Sequence, residues 1–329
     1  MFVLLGVTII SFFLSQVLLD PLVLYMTERT TPDQIAAIVA HYHLNDPWPI
    51  RYAIYVGNLL QGDWGYSRSL SQPVLPGLAA RFPATMELTV AAIIWTLVGG
   101  IPFGIISALR NNKLPDHVTR LVALTGVSTP VFWLGLVLQL VFFYYFHLLG
   151  LPYLPSNGRY EATLALEYPV VQVTGLMVLD SIITGNFIMT QDLIAHLILP
   201  SFALGFISMG VIMRIMRSSM LEVLRQDYII LARSKGLPER VVIYRHALKN
   251  AMIPTVTVAG LAVAALLGGA PLTETVFAWP GMGRLAVNAI GRNDAPLIMG
   301  FTLIAALVLV SANLIVDILY AYLDPRIKY

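Results

Sequence analysis

The sequence predicts an all-α membrane protein that crosses the bilayer six times and keeps both termini in the cytoplasm. Of its 329 residues, 57% are hydrophobic and only 12% are charged, whereas soluble domains carry about 25% charged residues. A helix rising about 1.5 Å per residue needs about 20 apolar residues to cross the hydrocarbon. Six apolar stretches are long enough: residues 1–19, 84–109, 121–149, 196–216, 251–272 and 297–320.

The distribution of Lys and Arg gives the orientation, because cytoplasmic connections carry the excess of these residues. One set of connections holds thirteen of them: Arg110, Lys113, Arg120, Arg214, Arg217, Arg225, Arg233, Lys235, Arg240, Arg245, Lys249, Arg326 and Lys328. The other set holds seven, over far more sequence: Arg29, Arg51, Arg68, Arg81, Arg159, Arg284 and Arg292. Both termini are therefore predicted to be cytoplasmic.

Residues 1–26 are predicted to contain the first span. No Lys or Arg precedes its apolar run, and residues 16–20 offer no convincing cleavage site, so a secretory signal is not favoured. Two interpretations stay open: an uncleaved first span, or a start codon placed too far downstream, which we favour and which makes this N-terminus a truncated one. Residues 170–179 form a weaker apolar run, interpreted as an interfacial segment outside the membrane.

Residues 27–83 are expected to form an external segment with structure of its own. Pro32 and Asp33 favour a helix start, since proline fits the first turn and a carboxylate suits the positive end of the helix dipole. His41 and His43 lie two residues apart and so on different faces of a helix, which argues against a metal pair. Residues 62–67 are typical of a turn. The chain has no cysteine, which excludes disulfides and thiolate sites.

Helix-breaking residues interrupt several predicted spans, and two interpretations stay open. Small residues allow close helix packing, whereas breakers in lipid are also tolerated where helices bend at a polar pathway. Aromatic residues after the fifth span are either part of an external gate or ordinary interface anchors. The candidate pathway or gate residues are Gly99, Gly100, Pro102, Ser128, Pro130, Gly268, Gly269, Phe277 and Trp279.

A long basic connection, residues 214–249, separates the fourth and fifth spans. It holds eight basic residues against the three acidic residues Glu222, Asp227 and Glu239. Apolar residues recur at helical spacing until Gly236, a residue suited to a left-handed helix end, and Pro238 favours a second helix that runs to Lys249. Attraction to anionic lipid, at about 1 kcal/mol per charge, or a role in orientation explains the charge. Docking of a cytoplasmic partner also explains the central glycine.

Several motifs then resemble those of one family. The connection carries ARSKGL at residues 232–237 and HALKNAMIP at residues 246–254, which resemble the cytoplasmic loop of ABC importer permeases. The chain is more closely similar to the dipeptide, oligopeptide and nickel group, as the first-type permease of its two-permease pair. Further matches are RFPATMEL at 81–88, GVSTPVFWLG at 126–135, ETVFAWPGMG at 274–283 and LDPR at 323–326. Two departures are the reduced Asp20–Pro21 motif and a longer insert at residues 160–195.

The resemblance implies the type I ABC importer permease fold, with residues 84–329 as a permease core of five spans. It implies a multi-pass subunit of the cell membrane that pairs with a second homologous permease, two cytoplasmic ATPases and an external solute-binding protein. Loop 218–250 would couple to an ATPase through Tyr228, Ala232, Arg233, Lys235, Gly236 and Leu237. ATP and Mg would bind to the ATPases, and this chain would hold no cofactor, metal or nucleic acid. Peptide is the default cargo, with oligosaccharide or a nickel chelate as alternatives.

Two other function classes are weighed against this one. A stand-alone secondary transporter needs ionisable groups within the membrane; the candidates, Glu87 and Asp317, both lie near span ends. An intramembrane hydrolase needs a nucleophile and a base, but His147 and His196 lie near the external boundary without a paired motif. No GxxxxGK[ST] motif occurs, so the chain is not itself an ATPase and is expected not to be an enzyme.

Overall fold

The computed structural model describes residues 2–18, 30–41 and 45–323, apart from some helical side chains, and most of these residues are helical. The first part contains α1 (Phe2–Leu18), α2 (Pro32–His41), α3 (Trp48–Leu60), β1 (Tyr66–Ser67), β2 (Gln72–Pro73), α4 (Val74–Ala79), α5 (Phe82–Leu109), α6 (Leu114–Ser128) and α7 (Val131–Leu138). A π-helical segment, Gln139–Tyr145, leads into α8 (Phe146–Leu148), followed by α9 (Ala162–Glu167), α10 (Met177–Ile183), α11 (Phe187–Val223), α12 (Asp227–Ser234) and α13 (Glu239–Val241). A second π-helical segment, Val242–Ala247, precedes α14 (Leu248–Val276), α15 (Met282–Gly291) and α16 (Ala295–Leu323).

Four helical stretches are long and apolar enough to cross a membrane within the described residues. They are Val74–Leu109, Val131–Leu148, Phe187–Val223 and Ala295–Ile315. They overlap the predicted second, third, fourth and sixth spans, and the predicted first and fifth spans fall on α1 and α14.

The third predicted span is not one helix, which corrects the expectation for residues 121–149. Helix α6 ends at Ser128 and α7 begins at Val131. Thr129 is extended, with φ −92° and ψ 124°, because the ring of Pro130 disfavours the helical conformation of the residue before it. The sequence identified these residues as breakers, and the structure places the break there.

Helix α11 lies at the centre of the fold and packs on α5, α6, α7 and α14. Small residues bring the helix backbones together. A Cβ on Gly210 would lie 2.7 Å from the Ala123 carbonyl oxygen of α6, and one on Gly205 would lie 2.5 Å from the Ala92 carbonyl oxygen of α5. Such close approach is the usual basis of helix association in lipid, where burial of apolar area gives little driving force.

The helix after Gly236 does not end at Lys249, contrary to expectation. Helix α13, the π-helical segment Val242–Ala247 and α14 follow one another without a break, and Pro254 lies inside α14. Helix α14 also continues to Val276, past the predicted end of the fifth span. Movement of the turn at Gly236 is therefore connected directly to a membrane-length helix.

The segment predicted to be external has the predicted helix start and turn within its described residues. Helix α2 begins at Pro32, and a turn with left-handed Gly62 and Gly65 precedes the two-stranded β1–β2 hairpin. Residues 27–29 and His43 lie outside the described residues. Residues 170–179 form no membrane-length helix; they lead into the seven-residue helix α10. The ten-residue helix α15 follows the end of α14 and precedes α16.

Candidate coupling loop and pathway

Helix α12 is amphipathic and has one packed face and one free face. Ile229 and Ala232 are buried, whereas Ile230 and Leu231 are 53% and 56% exposed. Because the opposite face holds the helix in place, the apolar pair is presented in a defined position, as a docking surface requires.

The turn after α12 is closed by one glycine and one ion pair. Gly236 has φ +72°, and its N–H donates to the Arg233 carbonyl oxygen at 2.9 Å. The Arg233 guanidinium donates from Nη2 to Glu239 Oε1 at 2.6 Å and from Nε to Oε2 at 3.1 Å. This hydrogen bond from Arg233 lowers the pKa of the Glu239 carboxyl below its ordinary value. The pair joins the end of α12 to the start of α13.

The six predicted coupling residues lie together but differ in exposure. Ala232 is buried and supports α12 from within, whereas Tyr228 and Leu237 are exposed. The Tyr228 hydroxyl accepts a hydrogen bond from Asn250 Nδ2 at 2.7 Å, which connects α12 to α14. Arg233 holds the turn, and Lys235 is exposed beside it. The sequence missed Ile230 and Leu231, although their apolar character on a basic loop was a visible signal.

A buried apolar cluster supports the loop. Ile229 and Ala232 of α12 pack with residues from the ends of α5 and α11 and from the start of α14. The cluster consists of Ile105, Ala108, Met216, Met220, Ile229, Ala232, Val242, Ala247 and Ala251. The loop therefore rests on three membrane-length helices at once.

An apolar groove runs between α5, α14 and α16. Its volume is about 630 Å³, and its lining on α14 extends from Met252 to Leu266. A second groove of about 290 Å³ shares Phe82, Met86 and Val308 with it and reaches Pro271. Nineteen helical steps from Met252 to Pro271 span about 28 Å at 1.5 Å per residue. The hydrocarbon is about 30 Å thick, so the two grooves together have the length of a transmembrane helix.

None of the predicted pathway residues whose surroundings the structure describes lines these grooves. A Cβ on Gly99 would collide with the Met209 side chain, and one on Gly100 would lie 2.6 Å from Ile212 Cγ2, so both glycines face α11. Pro102 lies inside α5, and Ser128 and Pro130 flank the break between α6 and α7. Gly268 and Gly269 lie in α14, but their surroundings are outside the described part.

Phe277 and Trp279 are not interface aromatics. They are 2% and 0% exposed, so the interpretation as lipid-facing anchors is wrong. Phe277 packs with Leu138, Leu199 and Ala203, and Trp279 Nε1 donates to the Ala84 carbonyl oxygen at 2.8 Å. The motif that contains them closes the end of α14 onto α5.

A carboxylate that the sequence analysis did not single out organises that closure. Glu274 is fully buried and accepts hydrogen bonds from Thr85 Oγ1 at 2.6 Å and from the Arg284 N–H at 2.9 Å. Gly281 allows this contact, because a Cβ there would overlap the Glu274 carboxyl group. The Met282 N–H donates to Thr85 Oγ1 at 2.9 Å and completes the connection between α15 and α5.

Three of the four residues considered for the alternative functions, Glu87, His147 and His196, have structural partners. Glu87 Oε2 pairs with Arg159 at 2.7 Å, and both side chains are at least nine-tenths buried; Asp317 lies outside the described side chains. His196 contacts Asp192, and His147 stacks on Phe143. Within the described residues no cluster of His, Asp and Glu that could hold a metal ion occurs.

Comparison with known proteins defines the class. Residues 100–329 match the family described as the binding-protein-dependent transport system inner membrane component, and the chain belongs to this family. It is thus a membrane permease subunit of an ABC transporter and not itself an enzyme. This confirms the resemblance.

Individual relatives match along nearly their whole length. The chain is 44% identical over 328 residues to the dipeptide transport system permease protein of Alkalihalophilus pseudofirmus, covering 99% of this chain and 96% of the relative. It is 42% identical to the probable D,D-dipeptide transport system permease protein of Escherichia coli strain K12, covering 98% and 93%. It is 37% identical to the oligopeptide transport system permease protein of Bacillus subtilis strain 168, covering 99% and 96%.

Proposed function

We propose that this chain imports short peptides through a pathway that it forms with a second, homologous permease. Two cytoplasmic ATPases, which bind ATP and Mg, drive transport through the coupling loop, and an external solute-binding protein delivers the cargo. The chain crosses the membrane six times, with both termini in the cytoplasm. The dipeptide and oligopeptide permeases to which it is similar support peptide over oligosaccharide or a nickel chelate.

The apolar grooves between α5, α14 and α16 support the pairing with a second permease. They have the length of a transmembrane helix, and small residues such as Ala259 and Gly260 allow a helix to approach closely. Among the residues that the structure describes, those lining the grooves include no Asp, Glu, Lys, Arg or His, so they offer an apolar surface for a helix of the second permease.

The free face of α12 is the observation that carries the coupling role. Ile230 and Leu231 are more than half exposed on a helix whose other face is packed on α5 and α11. Anchors of this kind dominate binding energies when a partner pocket covers them, at about 2 kcal/mol or more each. Arg225, Arg233 and Lys235 lie within five residues of the pair in the sequence, and Arg233 is paired with Glu239.

Replacement of Ile230 and Leu231 by Asp tests this role. Each substitution should weaken binding of the purified ATPases to the permease pair by about 30-fold or more, the equivalent of 2 kcal/mol. Leu166→Asp is the matched control, because Leu166 is also an exposed apolar residue, at 87% exposure, but lies in α9. Helix α9 precedes the start of α11, whereas α12 follows its end. Unchanged ATPase affinity of Ile230→Asp and Leu231→Asp in lipid nanodiscs would refute docking at α12.

Cargo is tested through the partner that delivers it. Calorimetry of the cognate solute-binding protein with dialanine, an oligosaccharide and a nickel chelate should show binding of the dipeptide. Binding of the sugar or the chelate alone would replace the peptide proposal and leave the coupling role intact.

A further inference from the structure

A fully buried carboxylate connects three helices beside the coupling loop. The Asp116 side chain of α6 is 0% exposed. It accepts hydrogen bonds from Ser107 Oγ of α5 at 2.6 Å and from Arg217 of α11 at 2.7 Å (Nε) and 2.9 Å (Nη2). The N–H of Asn112, in the turn between α5 and α6, donates at 2.8 Å. We call Ser107, Asn112, Asp116 and Arg217 the Asp116 cluster.

The geometry of the Asp116 cluster restricts how α5 and α11 can move relative to each other. A buried charge is tolerated only when its partner and its hydrogen bonds are complete. Both carboxylate oxygens of Asp116 accept from the Arg217 guanidinium, and such two-pronged pairs define orientation as well as distance. Relative sliding of the two helix ends would break several of these bonds together.

The same helix ends carry the coupling helix. On α5, Ser107 faces Asp116, whereas its neighbours Ile105 and Ala108 belong to the cluster under α12. On α11, Arg217 faces Asp116, whereas its neighbour Met216 belongs to that cluster. The two interactions therefore occupy adjoining faces of the same helical turns.

We propose that Asp116 is a positioning residue for energy coupling: it holds the ends of α5 and α11 at a fixed spacing under α12. Displacement of α12 by the ATPases then moves both spans as one body. When the carboxylate is absent, α12 still binds the ATPases, but its displacement reaches α5 and α11 unequally. This inference rests on the proposed coupling role of the loop.

A variant without the charge distinguishes a positioning role of Asp116 from simple stabilisation of the fold. Asp116→Asn keeps the size of the side chain and removes the charge that Arg217 needs. In the complete complex in proteoliposomes, the variant should assemble and hydrolyse ATP, but import of labelled dialanine per ATP should fall about ten-fold or more, the order expected for losing charged hydrogen bonds. Asp116→Glu, which keeps the charge, should restore part of the ratio. Simple destabilisation would lower assembly, hydrolysis and import together.

Two further variants keep the test decisive. Ser107→Ala removes one hydrogen bond and keeps the ion pair, so it should assemble and show a smaller loss of import per ATP. Arg120→Gln is the matched control: Arg120 Nε forms a longer ion pair with Asp116 Oδ1, at 3.6 Å, but its side chain is 45% exposed, and such solvent-exposed pairs contribute little, so the ratio should stay unchanged. If the Asp116→Asn variant does not assemble, import per ATP of the Ser107→Ala variant decides, and a value equal to that of wild type overturns the proposal.

A distance measurement removes the dependence on the cargo. The chain lacks cysteine, so spin labels at Arg110→Cys and Ser218→Cys, both exposed positions, report only the spacing of the α5 and α11 ends. Asp116→Asn should broaden the distance distribution with bound AMP-PNP and Mg, and Arg120→Gln should not. An unchanged distribution together with wild-type import per ATP refutes the proposal. ATPase binding by the Ile230→Asp and Leu231→Asp variants tests the docking role of α12, and its outcome is independent of this distance measurement.

Discussion

Substitution of Gly236 tests whether backbone conformation holds the coupling loop in its docking shape. Gly236 has φ +72°, and a Cβ added there meets no atom within 4 Å of it. An Ala at this position therefore carries only the cost of a left-handed L-residue, about 1–2 kcal/mol. If ATPases bind only this loop conformation, ATPase affinity should fall by up to about 5–30-fold.

Other residues at this position should follow the same physical rule. Asn tolerates the left-handed region better than Ala does, so Gly236→Asn should weaken binding less than Gly236→Ala. Gly236→Pro should abolish binding, since proline requires φ near −65° and removes the N–H that donates to Arg233. The protein should still fold in the membrane, because a Cβ at position 236 would meet no other atom within 4 Å.

ATPase affinity of the permease pair in nanodiscs measures the series, with Gly185→Ala as the control. Gly185 has φ +71°, a Cβ there would also meet no atom within 4 Å, and its N–H donates to the carbonyl oxygen of the residue three positions earlier. It lies before the start of α11, whereas the coupling loop follows the end of that helix. The expected order is Gly, Asn, Ala and then Pro. Weaker binding of the Asn than of the Ala variant would refute the backbone argument and point to direct contact of Gly236 with the ATPase. Wild-type binding of the Pro variant would remove the loop from coupling.

Two further predictions concern the insert between α8 and α11. Arg159→Leu should leave Glu87 buried without its partner and destabilise the protein by about 3–5 kcal/mol, seen as a lower thermal unfolding midpoint; a midpoint equal to that of wild type would contradict the pairing. Burial alone would raise the pKa of Asp180, but hydrogen bonds from the Thr174 hydroxyl and from backbone N–H groups outweigh it and lower that pKa. Asp180 therefore stabilises its loop above pH about 4, and this contribution is lost as pH falls through the lowered pKa. Proteolytic cleavage within residues 170–185 should increase as pH falls through that lowered pKa. The Asp180→Asn variant should be cleaved there already at neutral pH.

Much of the fold follows from local chemistry. Apolar runs of the right length predicted the helices, and Pro130 predicted the position of the break between α6 and α7. Gly236 and Pro238 predicted the turn of the loop, because glycine adopts a left-handed conformation readily and proline favours the start of a helix. The boundaries were less well predicted: nothing local to Lys249 separates the loop from α14, and the π-helical segment joins them.

The sequence by itself indicated the class of the protein, the helix pattern and a basic loop suited to docking a partner. Only the tertiary structure decided that Gly99 and Gly100 pack on α11, that Phe277 and Trp279 are buried, and that α12 leaves Ile230 and Leu231 free. These facts depend on contacts between residues far apart in the chain. The sequence shows that Asp116 and Arg217 carry opposite charges, but they meet only because α6 and α11 pack side by side. Residue type limits what a side chain can do, and its neighbours in space decide which of those roles it takes.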